Sequence, residues 1–323
     1  MRVKVYGARG SCPVAVSPER VDEIARAVWE FSRGKSFARW EELRTALRSE
    51  KPRSHYQVFG GHTTCLEIRD ERLPMPVFVD AGTGLTAAAT DPDSGLNSVA
   101  FKENRGEAAF FFTHTHWDHI IGLPTVEQIF KPGNRFDVYG VHKKLEERLA
   151  ALFVDEHFPV SFETVSPQFR FHQIPLHESV QLGPFRIDHV PQSHPGASFA
   201  YRFSDGKKTF VFATDTELKN IDPPHMTPGQ NVYSNADVLM LDAQYSPEDL
   251  ESRRGYGHAS VHTAVDFAVR EKSKVLYLFH QNPAYSDAEI DEQLNRARHY
   301  LKSTHAASKL RIEMTFEGAE IEL

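Results

Sequence analysis

Phe110-Phe111-Phe112-Thr113-His114-Thr115-His116-Trp117-Asp118-His119 decides how this chain is read. An apolar run that stops abruptly in a polar loop reads as a buried strand feeding a functional turn. The loop carries three imidazoles and a carboxylate, side chains that zinc and similar divalent ions accept as ligands. Alternate residues of an extended chain share a side, so His114 and His116 can grip one ion. Asp118 and His119, past the bend, can face a second ion nearby. A polar loop with coincidental histidines is the ordinary alternative, and the rest of the chain weighs against it.

Outward from this stretch the same arrangement recurs. Pro76–Val79 runs into Asp80-Ala81-Gly82-Thr83-Gly84, and Thr209–Ala213 runs into Thr214-Asp215. Asp237–Leu241 stops at Asp242, and Lys274–Phe279 stops at His280. Helical patterns lie at Leu145–Phe153, Val261–Lys272 and Ala288–Ser303, and strand-then-helix alternation reads as α/β layers. Further strands pair at Phe185–Val190 with Phe199–Phe203, and at Leu310–Phe316 with Glu320–Leu323. The expected architecture is therefore a sandwich of two mixed sheets with outer helices, one domain over residues 1–323. Residues 18–57 stand apart. Their two amphipathic patterns, Val21–Phe31 and Phe37–Leu47, read as a helical insertion too short for a core of its own. Such an insertion can cap the site, form a subunit contact in a homodimer, or simply pack on the outside.

His114-Thr115-His116-Trp117-Asp118-His119 resembles the His-x-His-x-Asp-His signature of the metallo-β-lactamase superfamily. Later motifs follow in order: Pro191-Gln192-Ser193-His194-Pro195-Gly196, Phe212-Ala213-Thr214-Asp215-Thr216, and Leu278-Phe279-His280-Gln281-Asn282-Pro283. Gly7-Ala8-Arg9-Gly10-Ser11 and Asp80–Gly84 resemble the opening of the same branch. The resemblance implies an αββα fold and two divalent ions, zinc first, with manganese or iron also compatible. It assigns His114, His116 and His194 to one ion and Asp118, His119 and His280 to the other, with Asp215 bridging. Alone, His194 could be a turn residue, Asp215 a cap and His280 a strand end; in company the seven rise together, because half-built sites would leave buried charge unpaired.

Gly255-Tyr256-Gly257-His258-Ala259-Ser260, after Asp237–Gln244, resembles the phosphodiesterase branch, which includes the tRNA 3′-processing endonucleases. There a histidine outside the ligand set lies beside the metals; here it is His258, whose plain alternative is a helix N-terminal residue. Paired ions would lower the pKa of a shared water towards neutrality for in-line attack on phosphorus, and charge on the phosphoryl oxygens would be neutralised. His258, oriented by Asp242, is the candidate general acid, so the catalytic candidates are His258, Asp242 and the ligand Asp118. The expected function is hydrolysis of a small phosphodiester, a cyclic nucleotide among them. Thioester or lactone hydrolysis is the alternative on the same fold, and a non-catalytic metal-binding sensor or scaffold the alternative of another class.

Departures from the tRNA endonucleases count against a nucleic-acid substrate. Leu241 and Asp242 stand where those enzymes have His-Glu, and no long Gly-Pro-rich arm is evident; His62, where the branch more often has asparagine after Gly-Gly, is a further departure with no assigned effect. The net charge of −7 over 323 residues argues the same way. Antibiotic hydrolysis is not expected, since neither an export signal nor a second-site cysteine is present. No run of eighteen apolar residues occurs, and Met1–Gly7 moves directly into strand-like alternation, so a cytoplasmic location off the membrane is expected. Cys12 and Cys65 are the only cysteines, read as free thiols rather than a bridge. Seventeen histidines, about twice the usual share, matter through their placement rather than their number.

Overall fold

The computed structural model describes residues 1–218 and 231–323. Its strands are β1 (Arg2–Gly7), β2 (Cys65–Arg69), β3 (Val77–Val79), β4 (Glu107–Phe112), β5 (Arg135–Gly140), β6 (Phe169–Gln173) and β7 (Val180–Leu182). They continue as β8 (Phe185–Gln192), β9 (Ser198–Ser204), β10 (Thr209–Ala213), β11 (Val238–Asp242), β12 (Val275–Phe279), β13 (Arg311–Met314) and β14 (Glu320–Glu322). One sheet has the order β14-β1-β2-β3-β4-β5-β6, the other β13-β12-β11-β10-β9-β8-β7. Each is antiparallel on one side and parallel on the other, the change falling at β3 in the first and at β10 in the second.

Side-chain alternation builds the layers. Ala109 and Phe111 of β4, with Phe210 and Phe212 of β10, point into the core between the sheets. Phe110 and Phe112 point the other way, against Leu85, Leu145 and Leu149. Val211 and Ala213 likewise meet Val261, Val265 and Ile290 from the helices Val261–Arg270 and Asp287–Thr304. The result is the four-layered αββα sandwich of the metallo-β-lactamase fold. Because parallel strands end together, β3, β4, β10, β11 and β12 deliver their C-terminal loops to one edge, where open α/β sheets place their sites.

One expectation needs correction. Leu310–Phe316 and Glu320–Leu323 do not pair: β13 joins β12 in one sheet, while β14 joins β1 in the other. The turn between them is a crossover, tied down where Gly318 N donates to Val5 O at 2.8 Å. No strand was expected at β2, β5, β6 or β7, and the helix expected at Leu145–Phe153 closes its last turn, Ala151–Phe153, as a 3₁₀ helix.

In residues 18–57 the helices are α1 (Pro18–Ser32) and α2 (Trp40–Glu50). Ser17 caps α1 by accepting the Arg20 amide, with proline at the first helical position. The segment is anchored to the helix Asp287–Thr304. Arg20 Nε donates to Asp287 Oδ2 at 2.8 Å, and the Ser54 amide donates to Asp291 Oδ2 at 2.7 Å. No helix among the described residues is long and apolar enough to cross a membrane. Cys12 is exposed, Cys65 is buried, and both are free.

Candidate metal centre

All seven residues picked out as ligands converge at the strand-end edge, in two groups of four that share Asp215. His114, His116 and His194 face Asp215 on one side; Asp118, His119 and His280 face it on the other. Asp215 divides its oxygens between them. Oδ2 lies 3.6 Å from His114 Nε2 and 3.5 Å from His194 Nε2. Oδ1 lies 3.1 Å from His119 Nε2 and 3.2 Å from His280 Nε2. His194 Nε2 and His116 Nδ1 are 3.1 Å apart, and Asp118 Oδ2 stands 3.3 Å from His119 Nε2 and 3.2 Å from His280 Nε2. Donors roughly 2.0–2.2 Å from a tetrahedral ion stand about 3.3–3.6 Å from one another. The spacing and chemistry of both groups fit such an ion. His114 Nε2 is buried without a hydrogen-bond partner among the described residues, a costly arrangement unless something accepts its lone pair.

The backbone is bent to make this possible. Asp80 (φ 59°), Asp215 (φ 54°) and His280 (φ 63°) are left-handed residues just beyond strand ends, and Ser11 (φ 62°) is another. Asp and His tolerate this region better than most residues, and such conformations gather at functional sites. A side chain on Gly10 would come within 2.3 Å of His280 Nδ1, so only glycine lets that imidazole sit where it does.

Outer partners fix the rings. His119 Nδ1 donates to Asp80 Oδ2 at 2.8 Å, and His194 Nδ1 donates to Gly257 O at 2.9 Å, which turns each Nε2 towards the centre. Asp80 is itself held by the Thr113 amide and hydroxyl, at 2.8 and 2.7 Å. Asp118 Oδ2 accepts the Ser11 amide at 2.8 Å. These outer groups, Asp80 above all, were missed from sequence. The signal was there: Asp80 ends β3 just as His114, Asp215, Asp242 and His280 follow or end their strands.

Asp242 is completely buried and organises the far wall. Its Oδ2 accepts from the Asp215 amide at 3.0 Å and from His258 Nδ1 at 2.7 Å, and its Oδ1 accepts the Ala259 amide at 2.9 Å. His258 stacks on His280, ring centroids 4.7 Å apart, but belongs to neither group around Asp215. Ser11, Thr115, His116, Trp117, Asp118, Asp215, His258 and His280 line an open cleft of about 440 Å³.

Burial pushes His114 well below the ordinary histidine range, and His116 and His194 below it too. The neutral imidazole is the form that binds metal. His119 goes the other way. Burial opposes its charge, but the carboxylates of Asp118, Asp215 and Asp80 hold it well above the usual range. Asp215, despite burial, is held well below the carboxylate range by His280, His119 and His114. Burial works against charge on His258 as well, yet Asp242 lifts it to about 9. Four buried aspartates, Asp80, Asp118, Asp215 and Asp242, thus meet in one place, an arrangement that calls for positive charge.

The fold and this constellation define a class, and comparison with known proteins agrees. The family described as Beta-lactamase superfamily domain matches residues 76–281, well over half of the chain. The chain belongs to that superfamily and is a hydrolase of its metallo-β-lactamase-fold branch. Ribonuclease Z of Bacillus cereus (strain G9842) is 24% identical over 245 residues, covering 62% of this chain and 79% of that protein. The metallo-beta-lactamase fold protein YhfI from Bacillus subtilis matches with a TM-score of 0.62 at 15% identity, covering 100% of this chain and 99% of that one. A diphosphatase from the PhnP family matches with a TM-score of 0.56 at 19% identity, covering 100% and 97%. The two structural matches speak for the fold alone.

Proposed function

We propose that the protein is a two-metal phosphodiesterase acting on a small phosphodiester, with cyclic nucleotides in its range. His114, His116 and His194 with Asp215 Oδ2 would hold one divalent ion, zinc first; Asp118, His119 and His280 with Asp215 Oδ1 would hold the other. When bound, such a pair supplies Lewis-acid charge and an activated water. The chain's own residues do the rest. Asp80 keeps His119 in the tautomer that points Nε2 at the centre, and the Ser11 amide fixes Asp118.

The observation that carries the reading is the His258–Asp242 pair beside the metal centre. An alkoxide leaving a phosphodiester needs a proton, whereas a thiolate needs one much less. His258 Nδ1 is committed to Asp242, so Nε2 is the nitrogen left for the cleft, where it can hold and deliver that proton. Support of another kind comes from the name of the relative matched in sequence, a ribonuclease, which implies attack at phosphorus. Residues 18–57 belong to the same reading as a helical insertion in a single domain, clamped through Asp287 and Asp291.

The test is a substrate panel of bis-aryl phosphate, cyclic nucleotides, a short RNA, thioesters and lactones, on metal-loaded protein. Turnover of the phosphodiesters is expected. Faster turnover of thioesters or lactones would overturn the reading, and RNA cleavage without turnover of small diesters would transfer it to nucleic acid. Replacement of His258 by alanine should cost about 10²–10⁴-fold on alkyl diesters and far less on activated aryl esters. Equal losses on both would remove its role as proton donor.

A further inference from the structure

Trp117 carries the most exposed large apolar side chain among the described residues, 78% exposed. A single exposed ring is ordinary on a protein surface, but this one has an unusual position. It stands between His116 and Asp118, one residue from each of the groups that meet at Asp215. It opens the helical turn Trp117–Ile120, whose next residues, Asp118 and His119, are buried. The backbone is pinned on both sides: His119 N donates to His116 O at 3.0 Å, and Ile121 N donates to Trp117 O at 2.8 Å. The backbone that carries the indole is therefore fixed at the wall of the cleft, which Trp117 shares with Ser11, Thr115 and His258. Trp29, also exposed, has the Arg33 guanidinium 5.0 Å from its ring; no cation among the described residues lies over the Trp117 indole. Arg148, which donates to Thr115 Oγ1 at 3.1 Å, puts a cation on the same lip.

An exposed indole on the wall of that cleft offers a face to a flat ring. We propose that Trp117 is a stacking platform, so that the phosphodiester taken by this site carries a planar heteroaromatic group, a nucleobase, close to the scissile phosphorus. This rests on the phosphodiester reading above. Every base presents a π-face, so stacking of this kind tolerates changes of base; the enzyme would recognise that a base is present more than which base it is.

The experiment compares adenosine 3′,5′-cyclic monophosphate with methyl ribofuranoside 3′,5′-cyclic phosphate, which has the same ring but no base, following ring opening by ³¹P NMR. The wild-type enzyme should favour the nucleotide. Trp117→Ala should raise KM for the nucleotide by about ten- to a hundredfold, leaving the base-free substrate within about twofold, and Trp117→Phe should recover most of the loss. Equal losses on both substrates overturn the proposal, as does a wild-type enzyme indifferent to the base. If neither substrate is opened, the phosphodiester reading fails for this substrate class, and stacking is read separately. In a Trp29→Phe, Trp40→Phe background Trp117 is the one remaining tryptophan of three. Its fluorescence should then be quenched by adenosine monophosphate and not by ribose 5-phosphate; no quenching by the nucleotide overturns the platform.

Discussion

The two groups that meet at Asp215 are built differently. Asp118, His119 and His280 are all buried, and their outer contacts are protein groups: Asp80 behind His119, the Ser11 amide on Asp118, Gly10 packed against His280. In the other group His114 is buried, but His194 is only partly so and His116 is exposed. One half is sealed but for the edges of Asp118 and His280 that reach the cleft wall; the other adds the exposed His116 to that wall. Asp215 alone belongs to both halves, and its two oxygens face opposite ways, so whatever happens to it reaches both.

That contrast can be broken at three points. The largest effect belongs to Asp215→Ala. It should remove both ions and lower turnover by more than about a thousandfold, since an activated water depends on them; elemental analysis alongside kinetics checks it, and a variant that keeps two tightly held ions refutes the shared carboxylate. Asp80→Ala acts on the sealed half directly and reaches His114 of the other through Thr113, whose hydroxyl lies 3.1 Å from His114 Nδ1. It frees His119 and leaves the Thr113 amide and hydroxyl without their acceptor, so metal affinity should fall about 10–100-fold, as measured by competition with a chelating dye. Unchanged affinity would mean that Asp80 serves the fold rather than the centre. His116→Ala acts on the other half. The open half should lose its ion while the sealed half keeps one, and two firmly bound ions would refute the assignment of His116.

Much of the centre was legible in the sequence because metal donors need particular side chains at particular places. Histidines alternate after β4, and an aspartate or histidine follows β10, β11 and β12, whatever loops intervene. Asp80 was harder to see. An aspartate after a strand commonly caps or turns the chain, and only the folded structure shows that its oxygens are spent on Thr113 and His119. The fold was legible where strands are buried on both faces, as in Phe110–Phe112 and Val238–Leu241, and least so at the edges. β6, at the rim of its sheet, alternates poorly, with Arg170, His172 and Gln173 largely exposed or half-buried. The misread pairing of β13 with β14 has a similar cause. Two short strands joined through Gly318 look like a hairpin, and nothing local says that the turn carries the chain from one sheet to the other. The mouth of the cleft lay beyond what spacing alone can say: Trp117 reads as an apolar residue inside a motif until its exposure is known.

The most direct test of the central idea is the metal content of the purified, metal-saturated protein, counted per chain by elemental analysis in the wild type and in Asp215→Ala. Two ions per chain in the wild type, with both lost in the variant, are what the divided oxygens of Asp215 require. A wild type that binds none or one, or a variant that still binds two, would contradict it.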